Sequence, residues 1–523
     1  MTAAATGRQD TIHGEQSPLL EACLSISEEE SLESKDATVE ADETGQASFV
    51  HTVLNLMKTC MGTGCLALSY ACQQGGLLVF LIGIVAIMIW NVVAVQRLVL
   101  CAHYLPTDDM NDDDDHRPVN KRRIDEEEQS DNHENTTIST SARINDLKVI
   151  SHAPPQGTSK LGQVAWYAFG PVGLAVLDVM MLLLLNGVII AYVAGAISFL
   201  GDTPITLGPW VDAIIVGTIM GSLSLVPDLG HLARASAMGL VVLLATFLVI
   251  ASYGILDWKH SPHVLQPSIS LMPRDGLTGL SEWFGVVVFG FGVVPLTFNF
   301  RDSMKQPAKI VAAMGVALTG VSISYIIMGA GMLFLFPALT GDVLHELPKT
   351  GWLPILTRLA MVWVVATTAP LLIVICGELI EGKWQTASHL RSVVRFGICG
   401  AAVLVAVVLP SFVQILSLVG SACVGTVSFC LPPLFHLKLS TAHLLDQQQH
   451  FHHSPVDLKQ SSGSSTYKPS KRRQHRTCRP LLCSASFWFD VVLLTWGILA
   501  TIISTGCMFR ELARNPSATT TYH

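Results

Sequence analysis

The sequence predicts an all-α integral membrane protein of about eleven transmembrane helices. Composition is the first reason. Half of the 523 residues are hydrophobic and only 14% are charged, against about 25% charged in a soluble globular chain; mean hydropathy is +0.48. The second reason is arrangement, because the apolar residues gather into stretches of roughly 20, long enough to cross a bilayer as helices that satisfy their own backbone hydrogen bonds. The third is where the charge sits. Residues 1–47 hold 11 acids and 2 bases and residues 105–160 hold 13 and 7, together −15 of a net charge of −8 for the whole chain. This pattern excludes a nucleic-acid binder, a collagen-like chain and a wholly disordered protein, and argues against a soluble enzyme.

The spans fall near 49–71, 77–103, 171–200, 211–227, 234–256, 281–300, 311–337, 352–380, 391–409, 412–437 and 488–509, numbered here 1 to 11. Span 4 is the shortest, and spans 9 and 10 are separated only by Pro410 and Ser411. Lys and Arg stay on the cytosolic side of membranes. With the N-terminus inside, only six of the 32 bases face outward: Lys259, Arg274, Lys349, Arg358, Arg510 and Arg514. The predicted organisation is therefore a disordered acidic cytosolic tail (1–47), a transmembrane domain (48–510) and a short extracytosolic tail (511–523). Polar cytosolic loops occupy 105–160 and 438–486.

The leader has no apolar core of a cleavable signal peptide. Within it Glu15, Gln16, Ser17, Pro18, Leu19 and Leu20 resemble the acidic-dileucine signal that adaptor complexes read when sorting proteins to endolysosomal or vacuolar membranes, with a plain solvated tail as the bland reading. The Asp112 to Asp115 run reads as solvated spacer, and the Asn135 sequon is expected to stay unglycosylated on the cytosolic side. A basic cluster from Lys471 to Arg479 suits either anionic lipid or simple topogenesis. No metal site and no cofactor is expected.

A search for enzyme chemistry finds no phosphate loop, no His-Glu-x-x-His and no Gly-x-Ser-x-Gly elbow. What interrupts the apolar spans is glycine and proline. Span 1 contains Cys60, Met61, Gly62, Thr63, Gly64 and Cys65; span 6 contains Phe289, Gly290, Phe291, Gly292, Val293, Val294 and Pro295. Glycine weakens a helix and proline removes a donor, so both segments are disposed to unwind mid-membrane. Unwound backbone at that depth is tolerated where it lines a cavity or is buried in protein. Spans 1 and 6 begin two successive sets of five. Interrupted helices at corresponding positions of two halves point to a transporter's substrate site, whereas glycine in one span alone reads more simply as close helix packing.

At these residues the chain resembles the amino acid/auxin permease family of the amino acid–polyamine–organocation superfamily, nearest its proton-coupled and vacuolar amino acid transporters. Leu56 through Leu68, with Lys58 ahead of the Met61, Gly62, Thr63, Gly64 core and then Ser69, Tyr70, Ala71, Gly75 and Gly76, is similar to the first-helix signature. Phe289, Gly290 and Phe291, followed by Pro295 and Met304, resemble the sixth-helix pattern. Leu418 to Ser421 and Leu431 to Leu439 resemble the tenth-helix ending. The resemblance implies a 5+5 inverted repeat like that of the sodium-coupled leucine transporter, with helices 1 and 6 broken and one helix added at the C-terminus. It also implies a free amino acid between those helices. Its carboxylate would meet backbone N–H groups near Gly62, Thr63 and Gly64, and its ammonium carbonyls near Phe289, Gly290 and Phe291, with Met61 and Gly292 completing the substrate-binding set, without any buried side-chain charge.

The coupling ion is read as the proton, with sodium as the alternative. Proton-coupled members carry a His three residues before the Lys, where this chain has Asn55, with His51 a turn earlier. A sodium site in this fold would use helix 8 hydroxyls, for which Thr367 and Thr368 are candidates, although adjacent threonines more often bond back to their own helix. Two charges, Lys58 and Asp178, stand inside spans in the cytosolic half. They could pair as an inner latch, or Lys58 could snorkel to the interface. The expected function is secondary active transport of amino acids by alternating access; the other function kept open is an amino-acid sensor using the same pocket.

Overall fold

The computed structural model describes residues 47–106, 154–155, 157–226, 229–260, 269–336, 339, 341–381, 388–409, 411–452 and 485–514. Every predicted span has a helical counterpart there. Nine segments among the described residues are long and apolar enough to cross a membrane. The two others are span 1, which is broken, and span 4, a helix of 15 residues from Pro209 to Leu223. At 1.5 Å per residue that helix is about 22 Å long, less than a typical hydrocarbon core.

Packing partners reveal the repeat. Span 1 packs on span 6, span 2 on span 7, span 3 on span 8 and span 4 on span 9. Each of the first four spans thus meets the one five places later, as two interleaved five-helix halves require. Span 11 lies against the first half of span 6 and the middle of span 10. Ile82, Leu183, Leu248, Ile327 and Ile502 are exposed. In water such a girdle would aggregate; in a bilayer it is the lipid face.

The loops sort to two ends, as alternating spans demand. At the near end, Ala47 N–H donates to the Ser303 carbonyl at 2.9 Å and the Ala47 carbonyl accepts from Lys305 N–H at 3.0 Å. Lys160 Nζ lies 2.8 Å from Asp302 Oδ1 at the same end. At the far end, Leu77 and Leu78 N–H groups donate to the carbonyls of Ser270 and Leu271, and Arg274 N–H to that of Gln74.

Three boundaries differ from expectation. Span 3 starts early, at Lys160, where Ser159 caps the helix by accepting from Gly162 N–H. The chain then turns at Gly170, whose φ of +67° suits glycine, before Pro171. The predicted loop at 438 is helical as far as His452, because Leu439 and Ala442 still have a core to enter and are buried. The last helix runs on to Arg514. Span 10 also carries an unforeseen feature: π-helical turns over Gly420–Val424 and Thr426–Cys430. They precede Pro432 and Pro433, which have no N–H for the preceding turn. The acidic tail with Glu15, Leu19 and Leu20, the Asp112 and Asn135 loop and the basic cluster at 471–479 lie outside the described residues.

Candidate functional site

Span 1 is two helices, Phe49–Cys60 and Leu68–Gly75, joined through extended Gly62 and one 3-10 turn over Thr63–Ala67. Span 6 is likewise Leu277–Gly290 and Thr297–Ser303, joined by a turn and by the 3-10 stretch Val294–Leu296 that holds Pro295. The breaks face one another. A Cβ placed on Gly64 would lie 3.1 Å from the Phe289 ring, so glycine there allows the close approach. Met61, Thr63, Phe291 and Val294 are buried, and Gly62, Gly64, Phe289, Gly290 and Gly292 are partly so. The residues expected to hold the substrate, Met61 to Gly64 and Phe289 to Gly292, thus lie at two breaks that touch through Gly64 and Phe289.

The backbone there offers both signs of partial charge. Thr63 and Gly64 open the 3-10 turn, where no earlier carbonyl of that turn reaches their N–H groups. On span 6 the Phe289 carbonyl accepts from Gly292 N–H at 3.1 Å and also from the cap N–H of Phe291, while the Phe291 carbonyl accepts from Val293 N–H at 2.7 Å and keeps a second lone pair. Thr63 Oγ1 is buried and has no hydrogen-bond partner among the described residues. Such a group is rare in a finished core. An amino acid's carboxylate oxygen would satisfy it.

Sequence reasoning missed Tyr325 of span 7. It is fully buried, and its hydroxyl lies 2.7 Å from the Cys60 carbonyl and 2.9 Å from the Gly290 carbonyl. One hydroxyl proton is thereby shared between the two breaks, and the ring stacks edge-on against Phe291 at 5.3 Å. An aromatic in an apolar span gives no signal for this role. Tyr192 of span 3 also approaches the site, with its hydroxyl facing Gly62.

The ion-coupling candidates fare unequally. Thr367 Oγ1 donates to carbonyls of its own helix, Trp363 and Val364, each at 3.0 Å, and Thr368 Oγ1 to Val364 at 2.8 Å. Lys58 and Asp178 are each half-buried, one in the last turn of span 1's first helix and the other in the near half of span 3. The most deeply buried charges are others. Arg97, Asp212, Glu282, Asp342, Arg358 and Asp490 are all at most 8% exposed. Glu282 has its carboxyl beside the side chain of Tyr70 of span 1. Arg97 Nε lies 2.8 Å from Asp490 Oδ1, whose other oxygen is 2.6 Å from His436 Nδ1. Their charges are visible in the sequence, but the partners lie on different spans and no local spacing announces them.

Facing broken helices inside a multi-pass helical bundle define a membrane transporter, and the comparisons with known proteins agree. Residues 45–116 and 147–458 match the family described as transmembrane amino acid transporter protein, and the chain belongs to it. It is 27% identical over 296 residues to amino acid transporter AVT3A of Arabidopsis thaliana, covering 54% of this chain and 66% of that one. It is 24% identical to AVT3B of the same plant, covering 58% and 77%. To the proton-coupled amino acid transporter-like protein pathetic of Drosophila melanogaster it is 22% identical, covering 46% and 51%. The aligned part thus spans from about half to three quarters of these relatives, which are transporters and not enzymes.

Proposed function

We propose that the chain is a secondary active transporter that carries free amino acids by alternating access, with the substrate held between the breaks of spans 1 and 6 and the proton as coupling ion. The observation that carries this reading is the pair of facing breaks, bridged by Tyr325 and containing the unpartnered Thr63 hydroxyl. In this reading the carboxylate meets the N–H groups of Thr63 and Gly64, since those of Met61 and Gly62 already donate to the carbonyls of Met57 and Cys60, and the ammonium meets carbonyls from Phe289 to Gly292, so that charge is met by dipoles rather than by ions.

One observation supports the proton over sodium: Glu282, 7% exposed, places a buried carboxyl on span 6 beside Tyr70 of span 1. The distribution of Lys and Arg assigns the near end to the cytosol. The dileucine-like Glu15, Leu19 and Leu20 favour an endolysosomal or vacuolar membrane, reached through adaptor complexes. For Lys58 and Asp178 the choice stays between an inner latch and a Lys58 that snorkels to the interface; recovery of transport in the swap Lys58→Asp with Asp178→Lys selects the latch, and no recovery selects snorkelling.

Counterflow in proteoliposomes with a panel of labelled amino acids tests the transport claim. Exchange of at least one amino acid is expected. Saturable binding without any flux would assign the same pocket to a sensor instead. Uptake measured against pH and with sodium replaced then separates the ions, and dependence on sodium alone overturns the proton.

A further inference from the structure

The loop between spans 7 and 8 is built as a cap. Its one-turn helix, Val343–Glu346, has Val343 and Leu344 fully buried and packs on the Thr63–Ala67 turn at the break of span 1. Upstream, Leu339 N–H donates to Gln73 Oε1 of span 1 at 3.0 Å. Downstream, Arg358 of span 8 is 1% exposed and donates to the carbonyls of Leu344, Leu347 and Pro348. What fastens the cap to span 3 is ionic. His345 Nδ1 is hydrogen-bonded to Asp202 Oδ2, just past the far end of that span. On the other side of the ring, Nε2 lies 2.9 Å from Ser198 Oγ and 3.5 Å from Asp342 Oδ2.

We propose that Asp202, Asp342 and His345 form a proton-binding site at the far end, whose occupancy latches this loop over the break of span 1 at acidic pH and releases it toward neutral pH. The chemistry is a matter of counting hydrogens. Ser198 has one hydroxyl hydrogen and lies 3.4 Å from Asp342 Oδ2. When it donates there, it can only accept from Nε2, and Nδ1 must donate to Asp202. Both ring nitrogens then carry hydrogen, so the ring is an imidazolium between two carboxylates. Loss of that proton leaves a bare nitrogen facing Ser198 and Asp342, and one of these contacts is given up.

The surrounding charges agree. Lys349 Nζ is 3.1 Å from Asp202 Oδ1, and Arg358 lies 3.9 Å from Asp202 Oδ2; Glu346 is on the same turn. The Thr63–Ala67 turn brings no charge, nor do the described side chains of span 5 from Met238 to Leu256, where Tyr253 is the titratable group. Burial pulls His345 down, but its hydrogen bond to Asp202 and the charges of Asp342 and Asp202 outweigh this and leave it above its ordinary 6.5. Burial pushes Asp202 up, yet the hydrogen bonds and charges of His345 and Lys349 bring it from 3.8 to about 2. Burial raises Asp342. A raised histidine contributes fully below its ordinary value and is lost as pH rises through its raised one; the lowered Asp202 contributes above its ordinary value and is lost as pH falls through its lowered one. The latch is therefore strongest in mildly acidic medium.

The inference rests on the proposed substrate site only for its consequence, so its test does not use transport. Hydrogen exchange of the full chain in nanodiscs, corrected for the chemical pH dependence of exchange, follows the amides of Leu344 and Leu347. Protection is expected to be lost progressively between pH 5 and pH 8. His345→Gln should show low protection at both values. Asp202→Asn, which keeps the ring and removes one carboxylate, should move the transition to lower pH. Protection that is flat in the unaltered protein, or an unchanged transition in His345→Gln, overturns the proposal. An absence of amino acid flux would instead count against the substrate site and leave the exchange result standing.

Discussion

Gly285 of span 6 and Gly420 of span 10 meet backbone to backbone, so closely that a Cβ on Gly420 would overlap the Gly285 carbonyl group. The contact falls where span 10 widens into π-helical turns. Neither backbone has a flexible side chain to move aside. Gly420→Ala is expected to lower the melting temperature of the purified protein, by an overpacking cost of about 1–3 kcal/mol. A melting curve matching that of the parent would show that spans 6 and 10 part more readily than their contact implies.

Tyr325→Phe keeps the ring against Phe291 and removes only the hydroxyl between the Cys60 and Gly290 carbonyls. Two buried acceptors then lose a shared donor, at about 1–3 kcal/mol. The expected result is a protein that still purifies but exchanges amino acids much more slowly. Counterflow and a melting curve on one preparation separate the two effects.

Asp490 holds Arg97 and His436 at the near ends of spans 2, 10 and 11. Its side chain is 1% exposed and that of Arg97 10%, so Asp490→Asn strands a buried cation, at about 3–5 kcal/mol. Arg97→Met combined with Asp490→Leu should recover much of this loss, because the ion pair also carried a desolvation cost. Chemical unfolding monitored across the double-mutant cycle reads the coupling directly.

With the proton as coupling ion, Thr367→Val and Thr368→Val, which remove only own-helix hydrogen bonds to Trp363 and Val364 among those seen, are expected to leave ion dependence unchanged. A variant whose uptake acquires or loses a requirement for sodium would restore these residues to an ion site.

The spans and breaks were legible because each is a property of adjacent residues. Burial of some 20 apolar side chains outweighs any local preference, and Gly62, Gly64, Gly292 and Pro295 disrupt a helix wherever it packs. Tyr325, by contrast, acts on two carbonyls from a third helix, 265 residues from Cys60 and 35 from Gly290. His436 and Asp490 are 54 apart. Such pairings depend on which helices become neighbours, which hydropathy does not encode. The helical extension to His452 was missed for a related reason: a polar composition hid Leu439 and Ala442, whose partners come from elsewhere in the bundle.

The two hydrogen bonds by which Ala47 grips the chain on either side of Met304 yoke the inner half-helices of spans 1 and 6. Their outer halves are moored separately, through Leu77 and Leu78 to Ser270 and Leu271 and through Gln74 to Arg274. Tilt imposed on one inner half is thus passed to the other, while the outer halves answer to different restraints. The two unwound segments therefore lie between couplings at both ends, and each broken helix has one half tied to its counterpart at the near end and one at the far end.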